Sequence, residues 1–336
     1  MHHEEQDNWR KNISPYEKPY IKYSVWQLIN TIVPFFLLWG AAYLCLSLSY
    51  WLTLALIVPA SGFLIRIFII FHDCCHKSFF KNRLANEIVG TLTGILTCVP
   101  YAQWRQSHSV HHATSSNLNR RGTGDVWTLT KQEYLSLSLF RKFGYRLYRN
   151  PLIMFVLGPI YIFLINYRFN RKGAGLKERM NTYITNLGMG AVTGLFCWTI
   201  GWSEFLLVQG PIFLLSGMAG IWLFYVQHQF EDSYFENEEN WSYLQAALRG
   251  SSFYKLPKVL QWFTGNIGFH HIHHLSPRVP NYYLKAVHNS NLALQDVQTI
   301  TLGSSLRSLR FRVWNEESKK FEGFKDIKRL LGKRKV

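Results

Sequence analysis

SVWQLINTIVPFFLLWGAAYLCLSLSYWLTLALIVPASGFLI, residues 24–65, contains no Asp, Glu, Lys or Arg in 42 positions. A bilayer crossing takes about 20 apolar residues, so the run predicts a helical membrane hairpin. Its turn falls at Ser49, Tyr50 and Trp51, whose aromatic rings suit a membrane interface. A few residues further, Phe71-His-Asp-Cys-Cys-His76 sets two imidazoles one helical turn apart at the end of the second helix.

That pattern recurs. His108-Ser-Val-His111-His112 and His270-His-Ile-His273-His274 also follow long apolar segments. On a helix, residues i, i+3 and i+4 share a face, so each cluster aims its rings at one point. Imidazole is the common ligand of iron, zinc and copper. A lone histidine on an apolar face is usually structural. Eight in three matched clusters indicate metal binding, and they are too many for one ion, so two metals are expected. Cys74 and Cys75 lie inside the first cluster, where the imidazoles already fill the ligand role. His2 and His3 read as ordinary terminal residues.

The composition is that of a half-embedded chain. Hydrophobic residues make up 48% and aromatics 16%, yet the mean hydropathy is close to zero. The net charge of +17 comes from 37 basic and 20 acidic side chains. With membrane spans present, anionic head groups explain it better than nucleic acid does. Five cysteines without a CxxC form no disulfide framework. No cleavable signal peptide is expected, because the first 23 residues are polar and the following apolar run is too long.

Charge-poor segments lie at about 24–48, 51–71, 88–104, 151–167, 182–203 and 205–230. If the three clusters build one site, they share a side of the membrane, and crossings between them are even in number. Segment 88–104 is short and followed by Arg105, so it dips in or lies in the interface. Segment 151–167 has basic flanks on both sides and Gly158-Pro159 in its middle, and is also read as non-crossing. The expected fold is therefore an all-α integral membrane protein. Four transmembrane helices (24–48, 51–71, 182–203 and 205–227) and two re-entrant or interfacial segments carry a cytosolic helical cap that holds a di-metal site. Both termini and all clusters are expected to be cytoplasmic. Residues 231–262 read as short helices, with Trp241, Leu244, Ala247 and Leu248 at helical spacing. The expected divisions are a cytosolic segment 1–23, a membrane domain 24–303 and a basic cytosolic tail 304–336 that ends in a surface helix touching anionic lipid.

HxxxH, HxxHH and HxxHH in this order, separated by membrane segments, resemble the membrane fatty acid desaturase and hydroxylase superfamily. Phe71-His-Asp-Cys-Cys-His-Lys-Ser-Phe-Phe80, Arg121-Gly-Thr-Gly-Asp125 and His273-His-Leu-Ser-Pro-Arg-Val-Pro-Asn-Tyr282 are similar to bacterial acyl-lipid desaturases, above all to the Bacillus-type phospholipid delta-5 desaturases. This resemblance runs from about Ser24 to Trp314. It implies two non-haem irons that activate dioxygen, and ligands at His72, His76, His108, His111, His112, His270, His273 and His274. A further ligand, His228, stands where the family uses a histidine after the last span. Some relatives carry an asparagine four residues before it; here that position is Phe224. His271 is one residue off the ligand spacing and is expected to support the ligands or to be structural. Ligand imidazoles usually donate their second N–H to a carboxylate or carbonyl, and Asp73, Asp125 and Asp232 are near enough in sequence to accept it.

The resemblance further implies a cell-membrane enzyme that inserts a cis double bond into saturated phospholipid acyl chains. Channel length would choose the carbon, since neighbouring methylenes differ by only ~0.8 kcal/mol of burial. Lipid or alkane hydroxylation is the alternative on the same scaffold. A metal transporter is a distant one, because transport ligands belong near mid-membrane. Electrons must come from outside: there is no nucleotide-binding GxGxxG and no His-Pro-Gly-Gly of a fused cytochrome b5. A ferredoxin or flavodoxin, both acidic, is the expected donor, with Lys131, Arg141 and Lys142 as candidate docking residues.

Overall fold

The computed structural model describes residues 9–327; His2, His3 and the last basic residues, 328–336, lie outside them. Helix α1, Ile21–Leu44, and helix α2, Tyr50–His76, pack as the expected hairpin. The turn between them is tightened by a 3-10 segment at Cys45–Ser47, and Thr53 Oγ1 donates to Ala42 O across it. Helix α3, Arg83–Leu96, and helix α4, Tyr101–Thr114, follow. Each has 14 residues and rises about 21 Å, short of the ~30 Å hydrocarbon thickness. The segment read as dipping or interfacial is thus two short helices joined through Cys98, which adopts a left-handed backbone.

The next apolar segment is not a straight helix. After helix α5, Lys131–Ser136, and helix α6, Leu139–Tyr148, the chain winds as π-helix at Ile153–Leu157 and Ile160–Ile165 around Gly158-Pro159. The stretch Ile153–Arg168 is bent by 63° from α6. Proline has no N–H to give the helix ladder, which accounts for the widened turns. Arg168 anchors the end of this stretch, donating to Cys98 O at 2.5 Å and to Asn186 Oδ1 at 2.6 Å.

Helix α7, Leu176–Ile200, and helix α8, Trp202–His228, turn on Gly201, whose φ of 96° favours glycine. The boundary therefore falls slightly earlier than the sequence suggested. Among the described residues, three segments, Ile21–Ser47, Tyr50–His76 and Trp202–His228, are long and apolar enough to cross a membrane, and a fourth is if the bent pair Leu139–Tyr148 and Ile153–Arg168 is one span. Helix α7, the fourth expected span, has 25 residues but is more polar. Asn181 and Thr182 on it bond Thr91 and Gln103 of α3 and α4. The spans pack through Phe35, Trp39, Ile57, Phe63, Ile67, Val208 and Ile212. Trp39 Nε1 donates to Gln209 Oε1 at 2.9 Å between α1 and α8, a bond suited to a medium without water. Large apolar side chains stay exposed on the outer faces, such as Leu37, Trp51 and Trp198, so the surface that meets no protein is the one lipid would cover.

The cap is built from helix α9, Tyr243–Arg249, helix α10, Lys258–Phe263, helix α11, His270–Leu275, and helix α12, Leu284–Ser290. As expected, Leu244, Ala247 and Leu248 of α9 face the core, where they meet Ile69, Ile272, Leu275 and Val287. Ile13, in the N-terminal segment, is buried in the same cluster. Arg66, inside α2, fastens the cap to the span: it donates to Trp262 O and stacks over the Trp262 ring at 4.1 Å.

Two small sheets are an addition to the all-helical expectation. Strands β1, Phe253–Lys255, and β2, Thr299–Thr301, pair in parallel; β3, Val313–Asn315, and β4, Lys320–Glu322, pair antiparallel. Three residues are too few to carry a readable alternation. Residues 304–327, read from sequence as a basic tail, are packed into the cap. Trp314 is 1% exposed, its N–H bonds Leu129 O, and Tyr145 Oη donates to Arg312 O at 2.6 Å. Aromatics within that basic stretch, rather than its charge, decide its place.

Candidate metal centre

The last turn of α2 carries His72 and His76 and closes on Lys77, which caps it in the left-handed conformation. Helix α4 brings His108, His111 and His112; α11 brings His270, His273 and His274; α8 ends on His228. These nine rings form two groups. In the first, one ring nitrogen each from His72, His76, His108, His112 and His273 lies within 4.8 Å of all the others; in the second, His111, His228 and His274 do the same. His270 borders the second group, with Nε2 2.9 Å from His228 Nε2. The first cluster serves one group only, whereas the second and third clusters straddle both. On α4, His111 faces one group while His108 and His112, three residues before and one after it, face the other.

The donor set fits metal ions. Nε2 of His108 is 3.2 Å from His72 Nε2 and 3.1 Å from His112 Nε2, and His111 Nε2 is 3.2 Å from His228 Nε2. Two ligands on one ion at ~2.0–2.1 Å, at right angles, would sit about 3 Å apart. Nε2 of His76, His273 and His274 is buried and meets no hydrogen-bond partner among the described residues. Burial first, and neighbouring imidazoles second, hold His108, His112, His270, His273 and His274 well below the usual imidazole range. They are therefore neutral near pH 7, which is the form that ligates.

The second nitrogens are held as sequence reasoning anticipated for two carboxylates. His72 Nδ1 donates to Asp73 Oδ1 at 3.3 Å, and Asp73 Oδ2 accepts from Asn281 N at 2.7 Å and Asn281 Nδ2 at 2.8 Å. Asn281 in turn exchanges bonds of 3.0 and 3.1 Å with Gln27 of α1. His111 Nδ1 bonds Asp125 Oδ1, and His228 Nδ1 donates to Gly250 O at 3.2 Å. Gly124 allows Asp125 to come this close. Its φ is 74°, and a Cβ there would meet Ser107 O at 2.9 Å and His111 Cβ at 3.1 Å.

The remaining candidates sit apart from the two groups. Asp232 is exposed and ion-paired with Lys320 at 3.3 Å, so it supports no ring. His271 turns away from both groups; its Nε2 is 3.1 Å from His288 Nδ1 and from Leu294 O. Of the docking candidates, Lys131 is engaged by Glu322 at 3.2 Å and Lys142 Nζ donates to Leu135 O at 2.8 Å, while Arg141 is exposed. Sequence reasoning missed His288, Asn281 as the partner of Asp73, and Trp104, which stacks on His108 at 4.0 Å one turn earlier. Phe224 packs 5.2 Å from both His111 and His228, an apolar wall on the second group.

A model of the fatty acid desaturase family matches residues 47–299, the stretch that holds all nine rings. The chain belongs to the fatty acid desaturase family. It is 62% identical over 325 residues to a fatty acid desaturase of Bacillus subtilis (strain 168), covering 97% of this chain and 92% of that one. It is 29% identical over 238 residues to a chloroplastic omega-6 fatty acid desaturase of Arabidopsis thaliana, covering 66% and 49%. It is 27% identical over 268 residues to a chloroplastic sn-2 acyl-lipid omega-3 desaturase (ferredoxin) of Helianthus annuus, covering 73% and 57%. The chain thus spans about half the length of these plant relatives. A desaturase is an oxidoreductase of lipid metabolism, and this one is a membrane protein whose buried histidines are compatible with a di-metal site.

Proposed function

We propose that this desaturase inserts a cis double bond, at the delta-5 position, into saturated acyl chains of membrane phospholipids. It draws on dioxygen, two irons and an external ferredoxin or flavodoxin. The balance is –CH2–CH2– + O2 + 2 e⁻ + 2 H⁺ → –CH=CH– + 2 H2O. The observation that best supports this reading is the sharing of α4 and α11 between two imidazole groups, each able to hold a metal ion. The delta-5 assignment rests on the residues flanking the clusters.

His72, His76, His108, His112 and His273 would hold one iron, and His111, His228, His270 and His274 the other. Bound iron supplies the activation of dioxygen that cleavage of two unactivated C–H bonds requires. The chain's own work is to keep nine rings converged. Asp73, Asp125 and Gly250 O accept the outward N–H groups and so fix which nitrogen faces inward. Phe224 and Trp104 keep the walls apolar, which favours an acyl chain over water beside the rings. We further assign the protein to the cell membrane, with its clusters and both termini on the cytoplasmic side.

Expression in a host that makes only saturated lipids, followed by mass-spectrometric location of double bonds, tests this directly. A new double bond at carbon 5 of phospholipid acyl chains is expected. A hydroxylated product, or unchanged lipid with iron-loaded protein and a working donor, would refute the reading.

A further inference from the structure

The histidine groups are almost sealed. Of the eight histidines in the two groups, His76 alone is half-buried rather than buried, with its Nε2 enclosed. It surfaces where the end of α2, the start of α3, α4 and the start of α7 come together, and that surface is basic. Lys77 follows His76 directly, and Arg105 lies one turn before His108 on α4. Lys77 N and Tyr101 Oη both donate to Cys74 O, at 3.0 and 2.9 Å, and the Arg105 guanidinium lies 5.7 Å from the Tyr101 ring. Glu87, one helical turn after Arg83 on α3, is engaged by Lys177 of α7 at 2.8 Å. Lys77, Arg83 and Arg105 have no ion-pair partner among the described residues. Like charges gathered without counter-charges are held at a cost, and an acidic partner relieves it.

We infer that the electron donor docks here, on Lys77, Arg83, Arg105 and Lys177, beside His76 at the end of α2. The inference rests on the proposed function, which needs two electrons from outside per double bond. A one-electron carrier would dock twice, reduced on arrival and oxidised on leaving. The occupant is a small acidic redox protein rather than a lipid phosphate because the neighbouring outer face of α4 is polar: Gln106 and Ser109 are exposed there, and Arg105 O accepts from Ser109 Oγ at 2.7 Å. The alternative face, at α5 and α6, has Lys131 and Lys142 already engaged.

The test uses the iron-loaded protein in nanodiscs of zwitterionic phospholipid, with a reduced acidic bacterial ferredoxin as probe. Biolayer interferometry measures binding, and turnover is compared with that sustained by a small neutral reductant. Lys77→Glu combined with Arg105→Glu should weaken ferredoxin binding about tenfold and flatten its salt dependence. The ratio of ferredoxin-driven to small-reductant turnover should fall by a similar factor. Arg83→Glu, which touches neither histidine group, should weaken binding in the same direction and decides the matter if the double variant fails to fold. Arg141→Glu, on the other face, should change affinity less than about twofold. Ferredoxin affinity untouched by Lys77, Arg83 and Arg105 overturns the inference, as does a larger loss at Arg141. A rise in the KM for phospholipid without one for ferredoxin also overturns it, in favour of a head-group site. Wild-type protein that binds ferredoxin yet desaturates with neither reductant would instead defeat the proposed function.

Discussion

Asp73→Asn isolates the support beneath the first imidazole group. The Asp73 carboxylate is buried and accepts three hydrogen bonds, from His72 Nδ1, Asn281 N and Asn281 Nδ2. An asparagine keeps the size but offers one oxygen and one NH2. If its oxygen serves His72, its NH2 faces two donors of Asn281; if it serves Asn281, His72 loses its acceptor and the tautomer that aims Nε2 inward. The first arrangement strands two buried donors at ~1–3 kcal/mol each, or about 2–6 kcal/mol in total. Part falls on folding and part on the ligand. Loss of an outer partner of a ligand imidazole typically costs 10–100-fold in metal affinity, about 1.4–2.7 kcal/mol. Chelator competition with metal analysis should therefore show one of two irons lost at roughly 10–100-fold lower chelator, with turnover falling in parallel. Asp232→Asn, on the surface with Lys320, should retain both irons. Equal retention of both irons in Asp73→Asn and wild type, or equal loss in Asp232→Asn, would show that the carboxylate does not support the site.

Three further outcomes are expected. His273→Ala should abolish iron binding at the first group and all turnover, whereas His271→Ala, which removes only the bonds to His288 and Leu294 O, should keep both irons and lower thermal stability; matching iron contents in the two variants would contradict the grouping. Gly94→Ala puts a Cβ 2.4 Å from Val99 O, and this overpacking of the turn between α3 and α4 should cost ~1–3 kcal/mol, read as a lower melting temperature in detergent; an unchanged melting temperature would mean the turn yields freely. Single cysteines at Gly173 and Asn119, in a background without native cysteines, should label only from the cytoplasmic side and one at Trp202 only from outside, and external labelling at Gly173 would overturn the proposed orientation.

The membrane hairpin and the histidine clusters were legible in the sequence for the same reason: both depend on local periodicity. A run of 42 residues without charge has no stable soluble alternative, and imidazoles at i, i+3 and i+4 must share a helical face wherever the helix lies. His72 and His273 could be named without knowing that their rings lie 4.4 Å apart. The division of nine rings into two groups was not legible. It depends on where α4 and α11 cross, which is decided by packing between segments more than 150 residues apart in the chain. Partners of single polar groups were equally hidden. Asp73 finds Asn281 and Asp125 finds His111, yet Asp232, just as near a ligand histidine in sequence, finds Lys320. Residues 304–327 teach the same point from the other side. Charge marks them as part of a basic tail, but burial of Trp314 against the Leu129 backbone draws them into the cap, and only the folded chain supplies that surface.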